Sequence, residues 1–216
     1  SGTSKNIAML VGCPGLVTWQ TLASGGIRGM LRFSATVAIV VAGGNVYTVA
    51  PDGTSTLIGT IVVRLTPVSM ASNGTVVMLV TGAEGYVINP AAASVTPIGE
   101  ESFTGADRVE YVDGYFVFNK PGTGQFQITG NFAPNIDPLD FATAEGAPDL
   151  LVSLIANQRE VWLLGETSTE IFFDSGNADF PFERIQGAFI EQGCAAKYSP
   201  AKANSSVFWL TADERG

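Results

Sequence analysis

The chain has 216 residues, of which 46% are hydrophobic and 14% charged, a length for one large domain or two small ones and too little charge for a disordered polyelectrolyte. It contains no histidine, which excludes Ser-His-Asp and Cys-His nucleophile systems, His-x-x-x-His zinc sites and imidazole acid/base chemistry. Its net charge is −9, and the cations Arg28, Arg32, Arg64, Arg108, Lys120, Arg159, Arg184, Lys197 and Lys202 are scattered, so tight direct binding to DNA or RNA is not expected.

The chain opens with Ser1-Gly2-Thr3-Ser4 in place of an initiator Met, which reads as a trimmed product or a piece of a longer protein. Ile7 to Cys13 is a short apolar patch without the charged leader or cleavage site of a signal peptide. Gly12-Cys13-Pro14-Gly15 is not a Cys-x-x-Cys site, and Cys13 and Cys194 are expected as two buried free thiols. The longest apolar run, Ala35 to Ala42, has strand length and falls far short of the ~20 residues of a membrane-spanning helix.

Five apolar runs then recur: Val37 to Val41, Val76 to Val80, Tyr115 to Phe118, Val161 to Leu164 and Val207 to Leu210. Their starts lie 39, 39, 46 and 46 residues apart. Turn-forming clusters precede the later runs, among them Ser72-Asn73-Gly74, Val112-Asp113-Gly114, Asn157-Gln158-Arg159 and Asn204-Ser205-Ser206. Second turns lead from the first four runs into Val46 to Val49, Tyr86 to Ile88, Gln125 to Ile128 and Glu170 to Phe173. Val-, Phe- and Trp-rich runs between turns are strands, and their continuous apolar character predicts burial on both faces. Antiparallel hairpins recurring every ~40 residues predict an all-β fold, a β-propeller of four-stranded blades, over residues 1–216 as a single region. A β-sandwich is the alternative, but it does not require this regularity. After the fifth run the chain stops within a hairpin, so about four and a half units are expected, part of a longer protein.

Two segments interrupt the repeat. Residues 130–149 carry Pro134, Pro138 and Pro148 without strand periodicity and read as a long binding loop. Asn131, Phe132, Pro134, Asn135, Asp137, Asp140, Phe141 and Glu145 are its candidate partner-contact residues. Asp137, Asp140, Glu145 and Asp149 invite a metal or two-carboxylate reading, but ordinary turn chemistry accounts for them better. Asp174 to Gln186 loosely resembles a calcium loop and lacks its ordered ligands, so it too reads as a turn. Trp162 and Trp209 fall within apolar runs and are expected in the core. No catalytic, cofactor-binding or metal-ligating residue is assigned.

Gly105-Ala106-Asp107-Arg108-Val109-Glu110-Tyr111-Val112-Asp113-Gly114-Tyr115-Phe116 resembles the packaged-DNA stabilisation proteins of short-tailed bacteriophages. So do Asp137-Pro138-Leu139-Asp140-Phe141-Ala142, Arg159 to Glu166, Thr169 to Phe172, Gly176 to Phe182, Gly193 to Lys197 and Pro14-Gly15-Leu16. This resemblance implies a tail hub or nozzle on a β-propeller, located in the virion tail after assembly in the host cytoplasm. It implies a ring of six copies below the portal and adaptor, extending the DNA channel and retaining packaged DNA, near spikes or fibres and a plug or needle. It implies no cofactor. The residues leave two other readings open: a carboxylate-dependent glycan-active propeller using acids such as Asp137, Asp140, Asp174 and Asp179, and a generic adaptor propeller.

Overall fold

The computed structural model describes residues 15, 17–22, 25–99 and 103–211, and in these every regular element is a β-strand. The whole early apolar patch, Ile7 to Cys13, lies outside the described residues. The first sheet contains β1 (Ile27–Arg32), β2 (Ala38–Ala42), β3 (Asn45–Val49) and β4 (Ser55–Thr60). The second contains β5 (Ser69–Ser72), β6 (Val77–Val80), β7 (Gly85–Asn89) and β8 (Ser94–Pro97). The third contains β9 (Val109–Val112), β10 (Tyr115–Asn119), β11 (Gln125–Thr129) and β12 (Ile136–Thr143). The fourth contains β13 (Leu151–Asn157), β14 (Glu160–Gly165), β15 (Thr169–Asp174) and β16 (Phe182–Ile190). A two-stranded hairpin, β17 (Ala201–Ala203) and β18 (Ser206–Phe208), begins a fifth unit. All pairings are antiparallel between sequence neighbours.

The four central apolar runs are the second strands β2, β6, β10 and β14, and their side chains fill the seams on both sides. Ile39, Val41, Val77 and Leu79 join the first sheet to the second. Met78, Val80, Phe116 and Phe118 join the second to the third. Val117, Phe126, Leu154, Val161, Leu163 and Phe172 join the third to the fourth. First strands β1, β5, β9 and β13 lie beside one another in series, as blades around an axis require. The chain is therefore a β-propeller, as its periodicity predicts.

A second repeat, invisible in composition, runs through the backbone. After each fourth strand the chain returns an N–H to a glycine carbonyl at the turn joining the second and third strands, where Gly85 opens β7 and Gly165 closes β14. The bonds are Ile61 to Gly44 (2.8 Å), Ile98 to Gly85 (2.9 Å), Ala144 to Gly124 (2.9 Å) and Cys194 to Gly165 (2.8 Å). These bonds fix each connector to its own sheet before it enters the next. At the opposite end the first hairpins turn through Asp113, Gln158 and Asn204, all with positive φ, in line with the turn clusters read from sequence.

Two expectations change. Residues 130–149 are not one loop, because Ile136–Thr143 forms the outer strand β12. Pro138 is tolerated there because an outermost strand needs no ladder N–H on its free side, and the irregular register beside Gln127 absorbs the extra residues. The fifth run is also not buried on both faces: Val207 and Trp209 pack on the fourth sheet, whereas Phe208 and Leu210 remain exposed.

Candidate functional site

The eight candidate contact residues spread along the outer edge of the third sheet. Gly130 to Asn135 is the turn before β12, closed by Gly130 N–H to Asn135 C=O at 2.9 Å. Phe132 N–H reaches Gly114 C=O at 2.7 Å and docks this turn on the first hairpin. Asn131, Phe132, Pro134 and Asn135 belong to this end, and Phe132 stands 73% exposed with a positive φ. Asp137, Asp140 and Phe141 lie on β12, and Glu145 follows its far end. Leu139, absent from the candidates, is 80% exposed on the same strand. The edge presents an apolar stripe among acids, spanning on the order of 25 Å of strand.

Three of the four acids considered for carboxylate chemistry share one recess. Asp140, Asp174 and Asp179 line a concavity of about 410 Å³ with Tyr115, Asn131 and Asn177, whereas Asp137 does not line it. Burial, and then the charge of Asp137, holds the Asp140 carboxyl above its usual range. Burial likewise raises the Tyr115 phenol, helped by the charges of Asp174 and Asp140. Turn chemistry still occupies part of this set. Asp174 Oδ1 accepts the Gly176 N–H at 2.8 Å, and Asn177 Oδ1 accepts the Asp179 N–H at 3.1 Å. Among the described residues no group of three or more His, Cys, Asp or Glu is placed to hold a metal ion.

Asp149 has a structural task. Its Oδ1 accepts the Glu166 N–H at 2.9 Å, and its Oδ2 accepts the N–H groups of Thr167 (2.9 Å) and Ser168 (2.8 Å) with both hydroxyls. Burial opposes its ionisation, but the backbone N–H and hydroxyl donors outweigh that and hold the carboxyl below its usual range. Nearby, Glu170 Oε1 accepts the Gly146 N–H at 2.9 Å and Oε2 lies 3.4 Å from Arg184 Nη1. The connector after β12 is thus an electrostatic clamp between the third and fourth sheets.

Around the axis, Lys197 Nζ bonds Asp107 Oδ1 at 2.8 Å and Tyr198 Oη donates to Pro67 C=O at 3.4 Å, linking the fifth unit to earlier connectors. Glu110 on β9 sits 3.5 Å from Arg108, and burial raises its carboxyl against the opposing charges of Lys202 and Arg108. Arg108 and Lys197 are thus each matched with an acid in this region. Cys194 is a buried free thiol, as expected.

Sequence reasoning passed over the connector between β4 and β5, where Val63 is 74% and Leu65 101% exposed. Its signal was an apolar run, Ile61-Val62-Val63, falling outside the repeat of strands.

Solved structures resemble this chain in fold. The computationally designed Ika8 protein matches at 11% identity and a TM-score of 0.53, over 84% of this chain and 54% of that one. YCF48 bound to D1 peptide matches at 15% identity and a TM-score of 0.54, over 76% of this chain and 54% of that one. An extracellular domain from B. thetaiotaomicron matches at 13% identity and a TM-score of 0.54, over 86% of this chain and 25% of that one. This chain thus spans about half or less of the length of these proteins, and identities this low speak to fold alone. No curated protein sequence matches it. The family described as bacteriophage P22 Gp10, β-propeller, matches residues 3–216, nearly the whole chain and all five units. With repeat, sheet order and family profile in agreement, the chain belongs to this phage stabilisation family of β-propeller structural proteins.

Proposed function

We propose that this chain is part of a tail hub, or nozzle, in which copies form a ring, six in number, below the portal and adaptor. The ring extends the DNA channel, helps retain packaged DNA, and supports spikes or fibres and a plug. It performs no enzymatic step and needs no cofactor. The observation that carries this reading is the family match over residues 3–216. The net charge of −9 and the acid-matched cations near the axis support a role in shape and gating, because such a surface lets DNA slide where a basic one would grip it. The outer edge of the third sheet, from Asn131 to Glu145, meets a neighbouring tail subunit in this reading. Imaging of assembled particles with this chain labelled tests it: the label is expected as a ring beneath the portal, and a label elsewhere in the virion overturns it.

The recess lined by Asp140, Asp174 and Asp179 favours one second reading, a glycan-active propeller. Asp140→Asn and Asp174→Asn would abolish glycan hydrolysis under that reading, whereas the structural reading expects no hydrolysis by the unaltered protein.

A further inference from the structure

The turn that leads into the fifth unit reaches past its neighbours. Ala196 to Ser199 is a β-turn, closed by Ser199 N–H to Ala196 C=O at 3.0 Å, and Ser199 Oγ accepts the Leu210 N–H at 3.1 Å. Its backbone meets the adjoining sheet, where Ser153 Oγ of β13 donates to Lys197 C=O at 2.7 Å. The two central residues project further. Lys197 Nζ donates to Asp107 Oδ1 at 2.8 Å, just ahead of β9 in the third sheet. Tyr198 Oη lies 3.4 Å from Pro67 C=O, just ahead of β5 in the second sheet. First strands stand in series around the axis, so two consecutive residues that meet the entries of three sheets lie across the mouth of that axis.

Both receiving points are fixed in advance. Asn119, fully buried on β10, accepts the N–H groups of Asp107 (3.1 Å) and Arg108 (2.9 Å) on Oδ1. Buried Arg28 holds the connector around Pro67: Nη1 donates to Val62 C=O at 3.1 Å, Nε to Thr66 C=O at 2.8 Å, and its own C=O accepts the Val68 N–H at 3.1 Å. Burial, and then the charge of Asp107, holds the Tyr198 phenol above its usual range, so it remains a donor at neutral pH. The apolar seams supply no such tie. Among the described residues every apolar cluster fills a seam between adjoining units or lies on the open face of the first sheet, and none joins the fifth unit to the first three sheets. Contacts between neighbours alone let small rotations add up along a series of units, whereas a tie across the axis fixes its radius.

We propose that Lys197 and Tyr198 form a latch across the mouth of the axis that sets the curvature of the blade series, and that its ionic half makes this curvature salt-dependent. Asp107 is the sheltered partner, its side chain 13% exposed, and Lys197 the accessible one at 46%, so salt reaches the pair from the lysine side. Opening the latch swings the fifth unit away from the second and third sheets, while the Trp162–Trp209 contact keeps it on the fourth.

Spin-label distances in the full chain test it, with labels on non-canonical side chains at exposed Thr56 of the first sheet and exposed Ser205 of the fifth unit. Labelled chain is diluted into unlabelled chain, so that only distances within one copy are read. The unaltered chain is expected to give a narrow distribution at low salt and one about two-fold wider at about 1 M salt, where charges are screened beyond roughly 3 Å. Lys197→Met/Tyr198→Phe is expected to be wide at both salt concentrations, with hydrogen exchange in β6 and β10 unchanged. Asp107→Asn, which keeps the side-chain shape and removes only the charge, is expected to abolish the salt dependence by itself. A double variant as narrow as the unaltered chain, or an unaltered chain whose distribution ignores salt, overturns the latch.

Discussion

Asp149 and Ser168 meet twice: Oδ2 accepts the Ser168 N–H at 2.8 Å and the Ser168 hydroxyl at 3.0 Å. With Thr167 and Glu166 donating to the same carboxylate, the connector into the fourth sheet is locked onto that sheet's own central turn. Replacing Asp149 with Ala removes the acceptor of three backbone donors and is expected to cost about 2 kcal/mol, read by chemical denaturation. The pH dependence has a definite sign. The folded-state pKa is depressed, so this stabilisation is complete above the unfolded-state value of about 3.9 and is lost as pH falls through the folded-state value. Asp149→Asn should flatten the acid limb of stability in that window, and an acid limb identical to that of the unaltered protein would refute the assignment.

Gly193 tests whether the hydrogen-bonded return after each fourth strand matters. A Cβ there would run into the Glu166 carbonyl and the Thr167 amide, backbone atoms that cannot swing aside. Gly193→Ala is expected to destabilise by about 3 kcal/mol. Gly99 follows the equivalent return in the second sheet, and a Cβ there meets nothing within 4 Å. Gly99→Ala should therefore leave the melting temperature nearly unchanged, and equal effects at both sites would count against the packing argument.

The repeat was legible because central strands are buried on both faces, and that burial writes continuous apolar runs such as Val76 to Val80 into the sequence. Outer strands are half exposed and carry no such mark. β12 contains Asp137, Pro138 and Asp140, residues that argue against a strand, and only its pairing to β11 reveals it. Turn residues were legible where the conformation demands them, as at Asn73, whose Oδ1 accepts the Thr75 and Val76 N–H groups. The site was less so. No sequence spacing brings Asp140 of the third sheet to the recess of Asp174 and Asp179, because packing of neighbouring sheets sets that proximity. Nor does sequence show that Arg28 serves the connector 34 to 38 residues later.

Trp209 is the aromatic anchor of the fifth unit, beside Val207 and the Asn157 Nδ2–H bond to Ser205 C=O at 3.1 Å. Trp209 donates Nε1–H to Gly193 C=O at 2.9 Å and stacks edge-on against Trp162 with ring centroids 6.2 Å apart. Trp209→Ala is expected to weaken docking of β17–β18 by about 2 kcal/mol, since the ring is half buried. The loss should be local. Hydrogen exchange at Ala203 and Val207 should accelerate while β14 and β10 keep their protection. Phe208→Ala, removing a side chain 58% exposed, is the control and should leave exchange in the hairpin unaltered.

DNA binding distinguishes holding from gripping. A protein that neutralises several phosphates loses affinity steeply with salt, because each contact releases counterions. This chain carries 11 basic residues against 20 acidic ones, and Arg64, Arg108, Arg159, Arg184 and Lys197 are each already paired with a carboxylate. Releasing any of them to a phosphate would first break that pair. Duplex DNA is therefore expected to bind no tighter than roughly 10⁻⁴ M at physiological salt, the weak end of non-specific binding. Asp107→Asn frees Lys197 and Asp113→Asn frees Arg159, so the double variant should bind DNA more tightly, with a salt slope steeper by up to about 2. Tight binding with a steep salt slope by the unaltered chain would show that DNA is gripped, and acid-matched cations would then not be what keeps it sliding.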